Sequence, residues 1–259
     1  MQTSSVALYT DLSGYYDLMC ANIDYQTQSA GIQRLHQIFG NAGNTMLDLA
    51  CGTGPHLRYF IDAGYQCSGL DLNLPMLELA KQRCPEAHFS AQNICNFHIQ
   101  PAVDLITCFL YSIHYSQSLE QLKQCIQNVA AALTPGGLFC FNAVDKTKID
   151  NNSAIRHSAQ QENAEFEFES AWYYSGVGDS QRLQLQIRRT VAGNTEEWQD
   201  SHPMVAISFD ELVELLTPDF EVVLLEHQYD TITPLSANAG NALVVCIKRP
   251  KTITESGLE

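Results

Sequence analysis

One stretch, residues 45 to 73, limits what this chain can fold into more than any other. Thr45-Met46-Leu47-Asp48-Leu49 is an apolar run closed by an acid, followed by the small-residue turn Ala50-Cys51-Gly52-Thr53-Gly54. Pro55 then suits the first turn of a helix. A second apolar run ends in Gly69-Leu70-Asp71-Leu72. The order is strand, glycine-bearing turn, helix and strand ending on an acid, which is one βαβ unit. Gly52 and Gly54 let the backbone approach a ligand where a Cβ would collide, and leave the N–H groups of the next helix pointing at it. Asp71 stands at the tip of the second strand, where a carboxylate accepts the hydroxyls of a ribose. The pattern is not the dinucleotide fingerprint G-x-G-x-x-G, whose third glycine would fall on Leu57.

The rest of the chain extends this unit. Leu74 to Gln82 reads as a short helix whose Met76 and Leu77 would roof a nucleoside. His88 to Ile94 reads as a third strand. Asp104 to Leu110 is continuously apolar after its first residue, as a buried parallel strand should be. It runs into Tyr111 to Ser116, beyond the carboxyl end of a strand, where open α/β sheets bind ligands. His114 or Tyr115 would there orient a nucleophile or take its proton. Glu120 to Leu133 has helical periodicity and stops at Thr134-Pro135-Gly136-Gly137, before a strand at 138 to 142.

Between 143 and 206 the pattern changes. Residues 151 to 163 are polar and loop-like. Phe166 to Glu169 and Arg182 to Arg188 alternate with period two around Gly176-Val177-Gly178-Asp179, an antiparallel hairpin to which 195 to 205 would add a third strand. These residues read as a β cap over the mouth of the domain, with Trp172, Tyr173, Tyr174 and Trp198 available to line a pocket. Ser208 with Glu211 has the form of a capping box opening a last helix. Phe220 to Glu226 and Ala242 to Lys248 read as a closing strand pair. At the other end, residues 1 to 6 read as a loose tail. Leu8 to Phe39 reads as two helices broken around 22 to 27, with Tyr9 and Tyr15 on their amphipathic faces.

A length of 259 residues suits one large α/β domain, with or without a cap. The net charge of −15 repels phosphate backbones, which argues against a nucleic-acid partner. Nine cysteines lie scattered in apolar runs without a C-x-x-C pair, which points to reduced, buried thiols in a cytoplasmic protein and away from a metal site. No apolar run reaches the roughly 18 residues that span a bilayer, and no basic, then apolar, leader is present, so neither a membrane location nor export is expected.

Asp48-x-Ala50-Cys51-Gly52-Thr53-Gly54 resembles motif I of the class I S-adenosylmethionine (AdoMet) methyltransferases. Leu133-x-Pro135-Gly136-Gly137 and the Tyr16-Asp17 pair resemble further features of that family. Within the class, three runs are similar to the amino-sugar N,N-dimethyltransferases: Leu47 to Arg58 with His56 and Leu57, Met76-Leu77-x-x-Ala80-x-x-Arg83-x-Pro85, and Thr107-Cys108-x-x-x-Ser112-Ile113. The resemblance implies an α/β, Rossmann-like seven-stranded sheet with helices on both faces and a small antiparallel β cap inserted after the fifth strand. Residues 1–142 and 207–249 would form the AdoMet-binding domain with an N-terminal helical lid, 143–206 the cap, and 250–259 a disordered tail.

It also implies a cofactor, AdoMet, and a set of roles. Asp48, Ala50, Gly52 and Gly54 would hold the methionine and ribose end, and Asp71 and Leu72 the ribose. Met76, Asn93 and Ile94 would hold the adenine, and Phe109 would face the cofactor from the next strand. Tyr16 would close on the methionine moiety and act in catalysis with His114. Tyr9, Tyr115, Trp172 and Tyr173 would meet the acceptor. Members of the family usually carry Gly-Asp where this chain has Gln92-Asn93; an asparagine carbonyl accepts the same hydrogen bond without charge assistance. The implied activity is methyl transfer to a small molecule, at an amine nitrogen, by a monomer or homodimer. Transfer to oxygen or carbon, and a non-catalytic AdoMet-binding scaffold, stay open. A nicotinamide-dependent oxidoreductase shares the layout, but the missing third glycine and the early Asp48 count against it.

Overall fold

The computed structural model describes residues 2–3 and 15–250. Tyr9, the expected helix before residue 15 and the expected tail from 251 lie outside them. In chain order the elements are β1 (Gln2–Thr3), α1 (Tyr16–Met19), α2 (Tyr25–Phe39), β2 (Thr45–Leu49), α3 (Pro55–Asp62), β3 (Gln66–Asp71), α4 (Leu74–Arg83), β4 (His88–Ala91) and β5 (Val103–Cys108). There follow α5 (Leu119–Ala132), β6 (Leu133–Val144), β7 (Ile155–Gln161), β8 (Ala164–Tyr174), β9 (Ser180–Val191), β10 (Asn194–Val205), α6 (Phe209–Leu216), β11 (Phe220–Glu226) and β12 (Asn241–Lys248).

Among the described residues the main sheet has the order β11-β12-β6-β5-β2-β3-β4. β2 to β6 are parallel, and β12 enters antiparallel between β6 and β11. The chain steps outward from β2 through β3 to β4, then returns to the other side of β2 as β5. That reversal makes a topological switch point between β2 and β5, and the crevice beyond it is the natural ligand site of such a sheet.

Alternation along the strands covers both faces. Leu47, Leu49, Ile106, Cys108, Phe139 and Phe141 pack with Ile126 and Val129 of α5 and Leu212 and Leu216 of α6. Met46, Leu105, Leu138, Cys140 and Val245 pack with Ile32 and Leu35 of α2 and Leu57 and Phe60 of α3. Each such side chain contributes about 1.5–3 kcal/mol on burial, and coverage of both faces is why β5 reads as an unbroken apolar run. No described helix is long and apolar enough to cross a membrane.

The chain leaves this sheet after Val144 and builds a second one, ordered β1-β10-β9-β8-β7, before α6. Ala192 (φ 49°) and Gly193 (φ 84°) form a two-residue turn with both residues left-handed, the hairpin geometry that matches strand twist. Phe166, Phe168, Leu185 and Ile187 bury one face of this sheet against Tyr15, Tyr16, Leu18 and Met19. α6 opens on the expected box: Ser208 Oγ accepts from Glu211 N and the Glu211 carboxylate accepts from Ser208 N.

Three boundaries differ from the sequence reading. Residues 155 to 161, read as loop, form β7, paired with β8 from Ile155–Ser170 to Gln161–Ala164. As an outermost strand β7 keeps polar side chains such as Arg156, which pairs with Glu169 at 2.7 Å, so no alternation marks it in the sequence. The third parallel strand ends at Ala91, leaving Gln92 and Asn93 in a turn. The fifth runs from Leu133 to Val144 with Pro135-Gly136-Gly137 inside it, Gly136 at φ 72° marking a local irregularity.

Candidate active site

The loop after β2 is built from left-handed residues: Ala50 at φ 52°, Gly52 at φ 56° and Gly54 at φ 76°. For an alanine this region costs about 1–2 kcal/mol, strain of the kind that folds keep at working sites. At Gly52 an added Cβ would stand 3.7 Å from Met76 Sδ and 3.8 Å from Tyr16 Cε1, so Met76 and Tyr16 wall this point of the loop. Gly54 is the N-cap of α3 and lets α4 approach, an added Cβ there meeting Ala80 Cβ at 3.3 Å.

Asp71, at the tip of β3, ties the two loops together. Its Oδ2 accepts the Gly52 N–H at 2.9 Å and its Oδ1 the Asn73 N–H at 2.8 Å. Burial pushes its carboxyl above the ordinary value, and those two N–H groups oppose the shift. Beside it Leu72 is 67% exposed, an apolar side chain next to a carboxylate at the crevice. Asp48 lies one layer deeper, fully enclosed, with Thr107 Oγ1 donating to its Oδ1 at 2.7 Å. Burial raises its pKa to about 7; Thr107 works against the rise and the charge of Asp71 adds to it.

The N-terminal helix is fastened to this loop. Thr53 Oγ1 donates to Asp17 Oδ1 at 2.6 Å and accepts from Arg83 Nη1 at 2.7 Å. Arg83 also reaches Thr53 O at 2.7 Å and Asp17 Oδ2 at 2.5 Å. Tyr16, next to Asp17, is thereby held against Gly52.

An AdoMet molecule fits these residues. A carboxylate offers about four acceptor positions, and the two Asp71 bonds leave capacity for a ribose diol. The Asp71 carboxylate, part-buried at the strand tip, favours a cation nearby. Gly52, Met76, Tyr16 and Leu72 supply backbone access and apolar walls.

Other expected residues are placed differently. Asn93 Oδ1 accepts the Cys95 N–H at 2.8 Å, closing a local turn and keeping one lone pair. Ile94 is 8% exposed and belongs to the core, which removes the broad face that stacking on adenine would need. Phe109 is buried in a stack with His56, centroids 3.6 Å apart and planes 5° apart, with Tyr25 edge-on to His56 at 4.8 Å. His56 Nε2 lies 2.8 Å from Gln28 Oε1, and burial lowers its pKa to about 3, so this ring is neutral. Its position, just after the glycine turn, was the signal that could have marked it.

His114 does not serve as a base. Its Nδ1 is 3.0 Å from the Val205 carbonyl and its Nε2 accepts the Val144 N–H at 3.0 Å. Both nitrogens are spent, Nδ1 lying also 3.1 Å from Gln181 Nε2, and burial lowers the pKa to about 4. The side chain pins the turn at Ser112–Ser116 to the ends of β6 and β10. Trp172 packs edge-on to His114 and to Tyr111, centroids 5.7 and 5.8 Å apart. Tyr173, the next residue on the strand, points to the other face, where the Arg182 guanidinium covers its ring at 3.8 Å. Tyr115 Oη lies 3.0 Å from His202 Nδ1.

A second group of residues clusters where β5 and β6 end and β12 begins. Leu110 and Tyr111 are both left-handed, at φ 52° and 62°. The Leu110 N–H donates to Asn142 Oδ1 at 3.0 Å, and Asn142 Nδ2 donates to Tyr229 Oη at 2.6 Å. Asn241 Nδ2 donates to Tyr111 Oη at 3.0 Å, and His227 lies against both Tyr111 and Tyr229, with centroids 5.5 Å away in each case. The cluster is phenol, amide and neutral ring; burial holds His227 below its ordinary pKa. An asparagine closing the otherwise apolar run Leu138 to Phe141 was the overlooked sequence signal.

Residues 46–137 match the family described as "Methyltransferase domain". A Saccharopolyspora spinosa protein, dTDP-4-amino-2,3,4,6-tetradeoxy-D-glucose N,N-dimethyltransferase, is 30% identical over 139 residues, covering 53% of this chain and 55% of the relative. The chain thus aligns with about half the length of the curated relatives it matches. Among solved structures, DesVI of Streptomyces venezuelae superposes with a TM-score of 0.79 at 21% identity, covering 92% of this chain and 99% of that one. CalS10 of Micromonospora echinaspora, an amino pentose methyltransferase solved with its cofactor S-adenosylmethionine bound, gives 0.76 at 17% identity, covering 92% and 96%. These two likenesses show a shared fold.

Proposed function

From the premise that the chain carries the methyltransferase domain of the class I AdoMet-dependent family, we propose that it methylates the amino nitrogen of a small, sugar-like molecule. The observation that carries this reading is the Asp71–Gly52 bond of 2.9 Å. It fixes a ribose-type acid against a glycine loop at the switch point, with Asp48 beneath. The names of the relatives, amino-sugar N,N-dimethyltransferases from Saccharopolyspora spinosa and two Streptomyces species, support the amine.

AdoMet supplies a methyl group on a sulfonium, so displacement in line needs alignment and a neutral nucleophile more than acid–base power. Asp71 and the Gly52 loop hold the nucleoside end, the Asp71 carboxylate favours the positive charge, and Tyr16 closes over Gly52. The uncharged lining of Tyr111, Asn142, Tyr229 and Trp172 disfavours an ammonium, because a charge taken out of water costs more than a neutral amine. An acceptor amine lodged there is held in the nucleophilic form. The sheet of β7 to β10 acts as a cap and α1 as a lid, excluding water. We place the protein in the cytoplasm, since its nine cysteines are free and buried, as a reducing compartment keeps them.

The test is transfer of a deuterated methyl from AdoMet to dTDP-4-amino-2,3,4,6-tetradeoxy-D-glucose and to the matching 4-hydroxy sugar, read by mass spectrometry. Methylation of the amine alone is expected. Methylation of the hydroxy sugar would move the activity to oxygen, and cofactor binding without transfer to either would favour a scaffold.

A further inference from the structure

The second sheet is held to the first in two different ways. At its neck, where the chain crosses into and out of it, the backbone is clamped. His114 takes the Val144 N–H and reaches the Val205 carbonyl, each at 3.0 Å. Asp145 Oδ2 accepts the Phe209 N–H at 3.2 Å, and the Lys146 N–H donates to the Ile207 carbonyl at 3.1 Å. Far from the neck the support is of another kind. Ile187 lies about 23 Å along β9 from Ser180 at the rise of a strand. There Phe166, Phe168, Leu185 and Ile187 rest on Tyr15, Tyr16, Leu18 and Met19, with the Tyr15 and Phe166 rings 4.9 Å apart.

That support is α1, a helix of 4 residues. One turn does not hold itself in water, so α1 takes its order from what it touches. On one side it touches the apolar face of the cap sheet. On the other it touches the cofactor loop: Asp17 accepts from Thr53 at 2.6 Å and from Arg83 at 2.5 Å, and the Tyr16 ring stands with Met76 against Gly52. Asp17 and Leu18 are consecutive. One grips the loop and the next packs on the cap.

We propose that α1 transmits occupancy of the cofactor cradle to the cap, so that cofactor binding orders the β8–β9 sheet on which α1 packs. The proposal rests on the cradle reading of residues 45 to 73 and goes beyond the covering of the cofactor by α1. A nucleoside lodged against Met76 and Tyr16 adds contact to α1 and restricts it, and this fixes the surface under Phe166, Phe168, Leu185 and Ile187. The coupling is reciprocal: loosening α1 from the cap weakens the cofactor by the factor that the cofactor would have given the cap. An acceptor held under the cap then binds more tightly to the cofactor-loaded protein than to the cofactor-free one.

The test is hydrogen–deuterium exchange with and without S-adenosylhomocysteine on wild type, Asp17→Ala and Leu18→Ala. It is read on the cap at 164–174 and 180–191, on the glycine loop with α3 at 50–62, and on β12 at 241–248 as the control for folding. In wild type the ligand should slow exchange by about 10-fold in the cap as well as in the cradle. In both variants the cradle should still respond, the cap response should be lost, and the calorimetric dissociation constant should rise by about 10-fold. Leu18 packs on the cap, so weaker cofactor binding in Leu18→Ala is an effect that a merely structural contact would not produce. A wild-type cap indifferent to a ligand that protects 50–62, or variants whose cap responds as wild type does, overturns the coupling. A ligand that protects neither segment of wild type shows that the cradle reading has failed, and the coupling falls with it. Should Leu18→Ala loosen the β12 control, Asp17→Ala, which loses a part-exposed ion pair, decides alone.

Discussion

Thr107 and Asp48 face each other directly across the β5–β2 ladder, and the Thr107 hydroxyl donates to the Asp48 carboxylate at 2.7 Å. The acid that opens the glycine loop is therefore a ladder residue, enclosed on the α2–α3 side of the sheet, and it holds a proton far more strongly than an exposed aspartate.

This pair makes stability fall as pH rises. The pKa of Asp48 is raised from 3.8 to about 7 in the folded state. Between those values the native state binds a proton that the unfolded chain has released. The contribution is complete below about 3.8 and gone above about 7. Wild type should lose about 2 kcal/mol from this group between pH 5.5 and 8. Asp48→Asn should remove that loss, so denaturant titrations at the two pH values should show the variant gaining on wild type at pH 8. A parallel pair of pH dependences would refute the assignment.

Thr53 should matter more than the ion pair it serves. It is fully buried and both donates to Asp17 and accepts from Arg83, whereas Asp17 and Arg83 are part-exposed. Thr53→Val should cost about 1–3 kcal/mol by leaving those partners short of a bond. Asp17→Asn should cost no more than about 1 kcal/mol. Thermal denaturation of the two variants ranks them.

His114 should behave as a structural residue. Replacing it by phenylalanine leaves the Val144 N–H and the Val205 carbonyl unpaired, at a cost of about 3 kcal/mol. Its pKa is depressed to about 4 from 6.5, so its contribution is complete above 6.5 and lost as pH falls through about 4. His114→Phe should therefore lower the melting temperature at pH 7, and any folded fraction should retain S-adenosylhomocysteine binding. Unchanged stability with abolished transfer would restore it as a base.

What was legible in the sequence was local. The glycine turn, Asp71 at a strand tip and the Ser208–Glu211 box each depend on residues a few positions apart, and each stands as read. His114 was misread because its partner Val205 is 91 residues away on the second sheet, so loop position alone suggested an accessible ring. The Tyr115–His202 contact and the Asn142–Tyr229 bond were missed for the same reason. Strand β7 has no apolar alternation because it is an edge. Trp172 and Tyr173 are a different case: adjacent residues on a strand face opposite ways, so the sequence already said that only one of them could meet the crevice.

The most direct test of the cradle is a calorimetric titration of S-adenosylhomocysteine into wild type and Asp71→Asn, with NAD as a control. Asparagine keeps the shape of Asp71 and one acceptor for Gly52 while removing the charge. Tight binding to wild type, a loss of about 10- to 100-fold in the variant, equivalent to about 1–3 kcal/mol for a charge-assisted bond, and no heat with NAD are expected. Binding of NAD in place of the homocysteine product, or an Asp71→Asn variant that binds as tightly as wild type, would contradict the assignment of residues 45 to 73 as the cofactor cradle.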